Sequence, residues 1–145
     1  MPSLLGDGEG EKAQKMLGEV AYEGKGQRIG MKVLRNGLWE NSWIMQGMFY
    51  GEKFSATWTS EGEPRPDGTM GIEFWGFFNT ESGVMGRYKG TGNAILHPDG
   101  SMVARGSVEY SNPPGKFAKL NGISVVWEFA MDKDGNFHNK GWEWK

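Results

Sequence analysis

Few side chains in this chain are placed to do chemistry, and carboxylates lead them. Glu128 sits inside the apolar run "ISVVWEFAM" (Ile123 to Met131). A carboxylate there needs a basic partner or carries a raised pKa, and a raised pKa suits a general base. A three-residue hairpin loop at Lys133-Asp134-Gly135 sets it opposite Lys140, which points to a structural ion pair. Glu73 is the second candidate. If Pro66-Asp67-Gly68 closes a tight loop, Glu73 faces Glu61, and two carboxylates in one place can share a proton as an acid–base pair. The simpler expectation is that "EGEPRPDG" forms a longer loop and leaves Glu61 unpaired. Arg105, within a strand, is the third candidate. The two histidines, His97 before a proline and His138 beside the last turn, have no metal-ligand spacing, so no metal is expected. "DKDGN" (Asp132 to Asn136) lacks the twelve-residue spacing of a calcium loop and reads as a turn. No nucleophile elbow or phosphate-cradling loop is present, and the reading invokes no cofactor.

These residues must be positioned by strands. The 145 residues include 24 glycines, seven tryptophans, eight phenylalanines and four tyrosines. So much glycine argues against helices, because each interior Gly costs a helix about 1 kcal/mol relative to Ala. Turn pairs recur at Asn36-Gly37, Asp67-Gly68, Ser82-Gly83, Asp99-Gly100, Asn121-Gly122 and Asp134-Gly135, with period-two runs between them. Strands are expected near 18–24, 27–35, 38–50, 53–61, 69–79, 85–96, 101–111, 122–131 and 137–144. "SNPPGKFAKLNG" (Ser111 to Gly122) is a long irregular connection. A polar tail is expected over residues 1–15, with one helical turn near Lys12 to Leu17, and a single domain over 16–145. Eight or so sequential antiparallel strands remove their edges by closing into an up-and-down barrel.

Charge and cysteine content narrow the partners. A net charge of −2 gives no footprint for nucleic acid or an anionic membrane. No long apolar run spans a bilayer. The absence of cysteine fits a reducing, cytoplasmic setting.

The repeated pentapeptides "PDGTM" (Pro66 to Met70) and "PDGSM" (Pro98 to Met102) fix register. Proline suits the second position of a type I turn, and the following Gly the left-handed position of a three-residue loop. Around Pro98-Asp99-Gly100, Lys89 then faces Glu109, Tyr88 faces Tyr110 and Gly92 faces Gly106. Around Glu81-Ser82-Gly83, Phe74 faces Gly90 and Phe78 faces Gly86. One face of these strands carries Ile72, Phe74, Phe78, Tyr88, Val108 and Tyr110 and is the expected interior, with glycine opening a space. The other carries Glu73, Trp75, Phe77, Lys89, Arg105 and Glu109; Trp75 and Phe77 there call for a covering subunit, hence a homo-oligomer. The remaining tryptophans (Trp39, Trp43, Trp58, Trp127, Trp142 and Trp144) are read as core or interface packing rather than as sugar-stacking platforms.

The closing segments carry a family resemblance. Gly90 and Gly92, Arg105-Gly106, the Leu120 to Gly122 loop and the final Trp142-Glu143-Trp144-Lys145 resemble a poorly characterised family of small prokaryotic proteins of about this length, across roughly residues 18–145. The chain departs from that pattern at Lys116-Phe117, where Lys-Leu is usual, and at "VVWEFAMD", where a Phe-Glu-Tyr strand is usual. Such proteins look like allene oxide cyclase and calycin-type barrels. The resemblance implies a small barrel around an apolar molecule and carries over no catalytic motif.

The expectation is a closed all-β antiparallel barrel that binds a small apolar or aromatic molecule among Phe74, Phe78, Tyr88 and Tyr110. The alternatives are a cofactor-independent cyclase or isomerase using Glu128, Glu73 or Arg105, and a structural protein with a filled barrel.

Overall fold

The computed structural model describes residues 17–144. The polar tail expected over residues 1–15 therefore lies outside the described residues, as does the expected helical turn apart from Leu17, which opens the first strand. Eight strands follow in chain order: β1 (Leu17–Val33), β2 (Trp39–Phe49), β3 (Glu52–Pro64), β4 (Thr69–Thr80), β5 (Met85–Leu96), β6 (Met102–Ser111), β7 (Ser124–Met131) and β8 (Asn136–Trp144). Each pairs antiparallel with the next, and β8 returns to β1, so the sheet is a closed up-and-down barrel. Among the described residues no helix is long and apolar enough to cross a membrane.

Turn chemistry sets the register. In the β5–β6 loop the His97 amide donates to the Ser101 carbonyl at 3.0 Å, and Gly100 takes φ +94°. Asp99 Oδ1 accepts from the Ser101 amide at 2.9 Å and from its hydroxyl at 2.7 Å. The β3–β4 loop repeats this arrangement, with Asp67 holding Thr69. Both pentapeptides are therefore three-residue hairpin loops, and Lys89–Glu109, Tyr88–Tyr110, Phe74–Gly90 and Phe78–Gly86 are register partners as expected. The same loop closure overturns one expectation: β3 runs to Pro64, and Glu61 does lie opposite Glu73.

Two further differences have clear causes. The residues read as separate strands near 18–24 and 27–35 form one 17-residue strand, with a bulge between Arg28 and Gly30. The break left between them at Lys25-Gly26 does not occur: Gly24 and Gly26 stay in the strand, with Met45 and Phe137 lying against them from inside. The connection after β6 is not wholly irregular. Gly115–Leu120 forms a 3₁₀ turn whose Phe117 and Leu120 are fully buried. The turn caps the end of the barrel where Phe49 and Phe78 lie, with the Phe117 ring 4.8 Å from Phe49 and 5.8 Å from Phe78.

The inner face is the apolar one. Phe78, Tyr88, Ala94, Met102, Ala104 and Val108 are buried, as the period-two sorting requires. The glycines on this face do not leave open space, however. Rings occupy the positions their missing side chains vacate: Phe74 over Gly90, Phe78 over Gly86, Tyr22 over Gly141 and Trp127 over Gly92. A Cβ at Gly106 would run into the Thr91 backbone carbonyl, so here glycine permits a sharply coiled sheet. Of the tryptophans read as packing, Trp43, Trp127 and Trp142 are buried, whereas Trp144 is exposed.

Candidate site in the barrel interior

Two ring clusters fill the barrel. Near the capped end Phe49 meets Phe78 at 4.9 Å and Tyr110 at 5.5 Å, and Tyr88 meets Tyr110 at 5.8 Å. Deeper in, Trp43 stacks with Trp58 at 6.1 Å, and Phe129 and Phe137 stack at 4.8 Å. Phe74 bridges the clusters, 6.3 Å from Tyr88 and 5.6 Å edge-on to Trp127. Edge-to-face pairs of this kind add about 0.5–1.5 kcal/mol each beyond burial.

Between the clusters lies a cavity of about 60 Å³ whose wall includes Phe74, Phe78, Tyr88 and Tyr110. Trp58, Ile72, Phe74 and Tyr110 face this space yet are only half-buried, so the cavity is not sealed from solvent. The wall is apolar apart from a few oriented groups. The Tyr22 hydroxyl donates to Asn139 Oδ1 at 3.0 Å, and Trp43 Nε1 donates to Ser60 Oγ at 2.9 Å. Tyr88 donates to the Thr57 carbonyl at 3.3 Å. Trp127 is different. Its side chain is 7% exposed, it lines the cavity, and its buried indole N–H has no hydrogen-bond partner among the described residues. A buried donor without an acceptor is uncommon and costly.

The wall is also electrically quiet. Burial pushes the Tyr22 and Tyr88 hydroxyls well above the usual phenol range, reinforced by the neighbouring Tyr110, and burial raises Tyr110 as well. All three stay neutral at physiological pH and act only as hydrogen-bonding groups. Among the described residues, the side chains bordering the cavity include no carboxylate, histidine, lysine or arginine.

The ionisable candidates stand elsewhere. Glu128 alternates with the buried Trp127 and Phe129 and therefore points outward, with Arg105 of β6 and Lys140 of β8 as its register partners. Glu73 points outward from β4 between Glu61 and Thr91. Arg105 and Glu128 are thus brought side by side, away from the cavity, and Glu73 is separate from both. His97 is exposed in its loop, and His138 is a half-buried outward residue of β8 whose Nδ1 has no hydrogen-bond partner among the described residues. Burial, then the neighbouring positive charges, lower the His138 pKa. Sequence reasoning did not single out Trp127, Trp43 or Tyr22 as wall residues. For Trp127 the signal was present: an outward Glu128 forces both of its neighbours inward.

The closed end is held electrostatically. Lys116 Nζ lies 2.9 Å from Glu52 and donates to the Tyr50 carbonyl at 3.3 Å. Lys119 Nζ lies 3.3 Å from Glu143 and 4.1 Å above the Tyr50 ring, whose hydroxyl donates to Glu143 at 2.6 Å.

No protein-family model and no curated protein matches the chain. Among solved structures, a "conserved protein of unknown function" from Rhodopseudomonas palustris is similar with a TM-score of 0.69 and 9% identity, covering 86% of this chain and 95% of that one. A "protein with unknown function" from Clostridium acetobutylicum is similar with a TM-score of 0.66 and 10% identity, covering 86% and 97%. At such identities the likeness is one of fold. It supports the closed barrel, and it does not extend to the allene oxide cyclase or calycin naming or to the Trp142 to Lys145 ending.

Proposed function

We propose that the barrel is a receptor for a small, largely apolar molecule carrying one hydrogen-bond acceptor, such as a carbonyl oxygen. The observation that carries this reading is the unpartnered, buried indole N–H of Trp127 beside an apolar cavity. A ligand acceptor would satisfy that donor, while Phe74, Phe78, Tyr88 and Tyr110 would surround the apolar body. The quiet wall favours binding over cyclisation or isomerisation, because Glu73, Arg105 and Glu128 face outward and no carboxylate, histidine, lysine or arginine among the described residues borders the cavity. Size sets the second feature. The cavity's 60 Å³ is well below the about 150 Å³ that admits benzene. A ligand of more than a few atoms therefore enters only if the half-buried Trp58, Ile72 or Phe74 turns aside.

The test is an NMR titration of ¹⁵N-labelled protein with cyclopentanone and, separately, cyclopentane. The Trp127 indole resonance, assigned with Trp127→Phe, should move downfield and saturate with the ketone alone. Trp127→Phe should bind both probes without preference. The absence of any saturable shift at interior residues would overturn the reading.

A further inference from the structure

The cavity wall has more hydrogens to give than the Trp127 indole alone. Tyr22 and Asn139 are both buried and both border the cavity. Together they carry three polar hydrogens, one on the hydroxyl and two on the amide, and the bond between them uses one. That remainder is the same whichever way the Asn139 amide is turned. The Tyr88 hydrogen, by contrast, is taken by the Thr57 carbonyl, and that of Trp43 by Ser60. Asn41 Oδ1 is a buried acceptor without a partner among the described residues, but Asn41 does not border the cavity. The unmatched groups on the wall are therefore donors.

Strand register places two of them together. Trp127 of β7 lies opposite Gly141 of β8, and Phe129 lies opposite Asn139. Trp127 and Asn139 are thus diagonal neighbours on adjacent strands, with Cα atoms about 7–8 Å apart. Gly141 has no side chain, and the Tyr22 ring occupies the space above it. From that seat the Tyr22 hydroxyl holds the Asn139 amide at 3.0 Å. Neither donor has a cation beside it, since no lysine or arginine among the described residues borders the cavity. An anion there would give up its hydration without a counter-charge.

We infer that the ligand is a neutral molecule with two hydrogen-bond acceptors, of the dicarbonyl or ester class. Trp127 holds one acceptor and the Asn139–Tyr22 pair holds the other. This rests on the receptor reading above, which needs only the Trp127 contact, and adds the second anchor. A second carbonyl is a sharp probe because its effect changes sign with the wall. Met by a donor, it strengthens binding; buried against rings alone, it loses its bonds to water and weakens binding.

The test is an NMR titration of the ¹⁵N-labelled full chain with cyclohexanone and, separately, cyclohexane-1,4-dione. The dione should bind about threefold to tenfold more tightly, beyond the roughly twofold statistical gain from its two equivalent carbonyls. It should move the Asn139 side-chain amide resonances as well as the Trp127 indole, whereas cyclohexanone should move the indole alone. Tyr22→Phe with Asn139→Leu removes both partners at once, so neither is left buried and unpaired. That double variant should prefer cyclohexanone. Should it fail to fold, the wild-type affinity ratio and the Asn139 shift decide the question by themselves. No saturable shift with either probe would overturn the receptor reading and this inference with it. Saturable cyclohexanone binding combined with a dione that gains no more than the statistical factor would overturn this inference alone. So would an Asn139 amide that stays in place, or a folded double variant that still prefers the dione.

Discussion

Replacing Phe117 by Ala tests whether the 3₁₀ turn is part of the barrel core or a loop resting on it. The Phe117 ring is fully buried and touches Phe49 at 4.8 Å, Phe78 at 5.8 Å and Tyr50 at 6.2 Å. Removing it forfeits about 2 kcal/mol of transfer energy, and a residual void of about 100 Å³ costs about 2 more at roughly 24 cal/mol per Å³. The expected loss is thus about 4 kcal/mol, within the ~3–5 kcal/mol typical of Phe to Ala. For a domain whose total stability is about 5–15 kcal/mol, this is a large fraction. Urea unfolding followed by circular dichroism reads it directly, with Phe117→Leu as a control that keeps most of the volume and loses less. The Phe117→Ala protein should also take up cyclopentanone faster, because Phe49 and Phe78 border both the turn and the cavity. A loss below about 1 kcal/mol would refute the turn's role as the closing layer of the core.

Glycine positions give a paired prediction. Gly106→Ala should destabilise by at least about 1–3 kcal/mol, because its Cβ would meet the Thr91 carbonyl, which is backbone and cannot turn aside. Gly30→Ala should be neutral or stabilise by up to about 1 kcal/mol, since its nearest neighbour is Ser42 Cβ at 3.9 Å; equal thermal midpoints for the two variants would contradict the close-approach argument. Glu52 predicts a pH dependence: hydrogen bonds from Ser82 and Thr80, then Lys116, lower its pKa from 4.5 to about 2. A depressed carboxylate stabilises the fold above its unfolded pKa, so the contribution is complete above about pH 4.5 and fades as pH falls toward 2. The stability gap between wild type and Glu52→Gln should therefore narrow across that window, and a gap constant with pH would refute the assignment.

The fold was legible where local chemistry dictates geometry. Pro-Asp-Gly admits few loop conformations, and each loop fixes a register, so the inner and outer faces of β4, β5 and β6 could be sorted residue by residue. Glycines at close approach were harder to read. Gly24 and Gly26 flank the break left between two expected strands, and only the position of Met45 on β2 and Phe137 on β8 reveals why the strand continues. The same limit applies to the cavity. Glycine suggested empty volume, but whether a ring fills that volume depends on which strand lies two positions away in the closed sheet. Glu61 was misjudged for another reason. Like charges in opposition argue against pairing, but the three-residue loop closed between Arg65 and Thr69 carries β3 to Pro64 and imposes that register on outward side chains.

The period of the strand also decides which function class is open to this barrel. Alternation sends every second residue to the wall, and on β4 to β7 the acidic and basic groups occupy the outward phase: Glu73, Arg87, Lys89, Arg105, Glu109 and Glu128 are each flanked by inward glycine, apolar or tyrosine residues. An acid or base reaches the cavity only by replacing an inward residue, and several of the inward rings, among them Tyr22, Phe78 and Trp127, are seated in the space that a glycine leaves. Ala104 is the instructive exception. It is small and buried on the cavity wall, between Ala94 of β5 and Phe129 of β7, so Ala104→Glu would put a carboxylate into the apolar space, where its pKa would rise steeply. Such a variant should be much less stable at neutral pH than at pH 4, the reverse of the dependence predicted for Glu52. A variant equally stable at both would show that water already solvates the cavity, and the apolar-ligand reading would then fail with it.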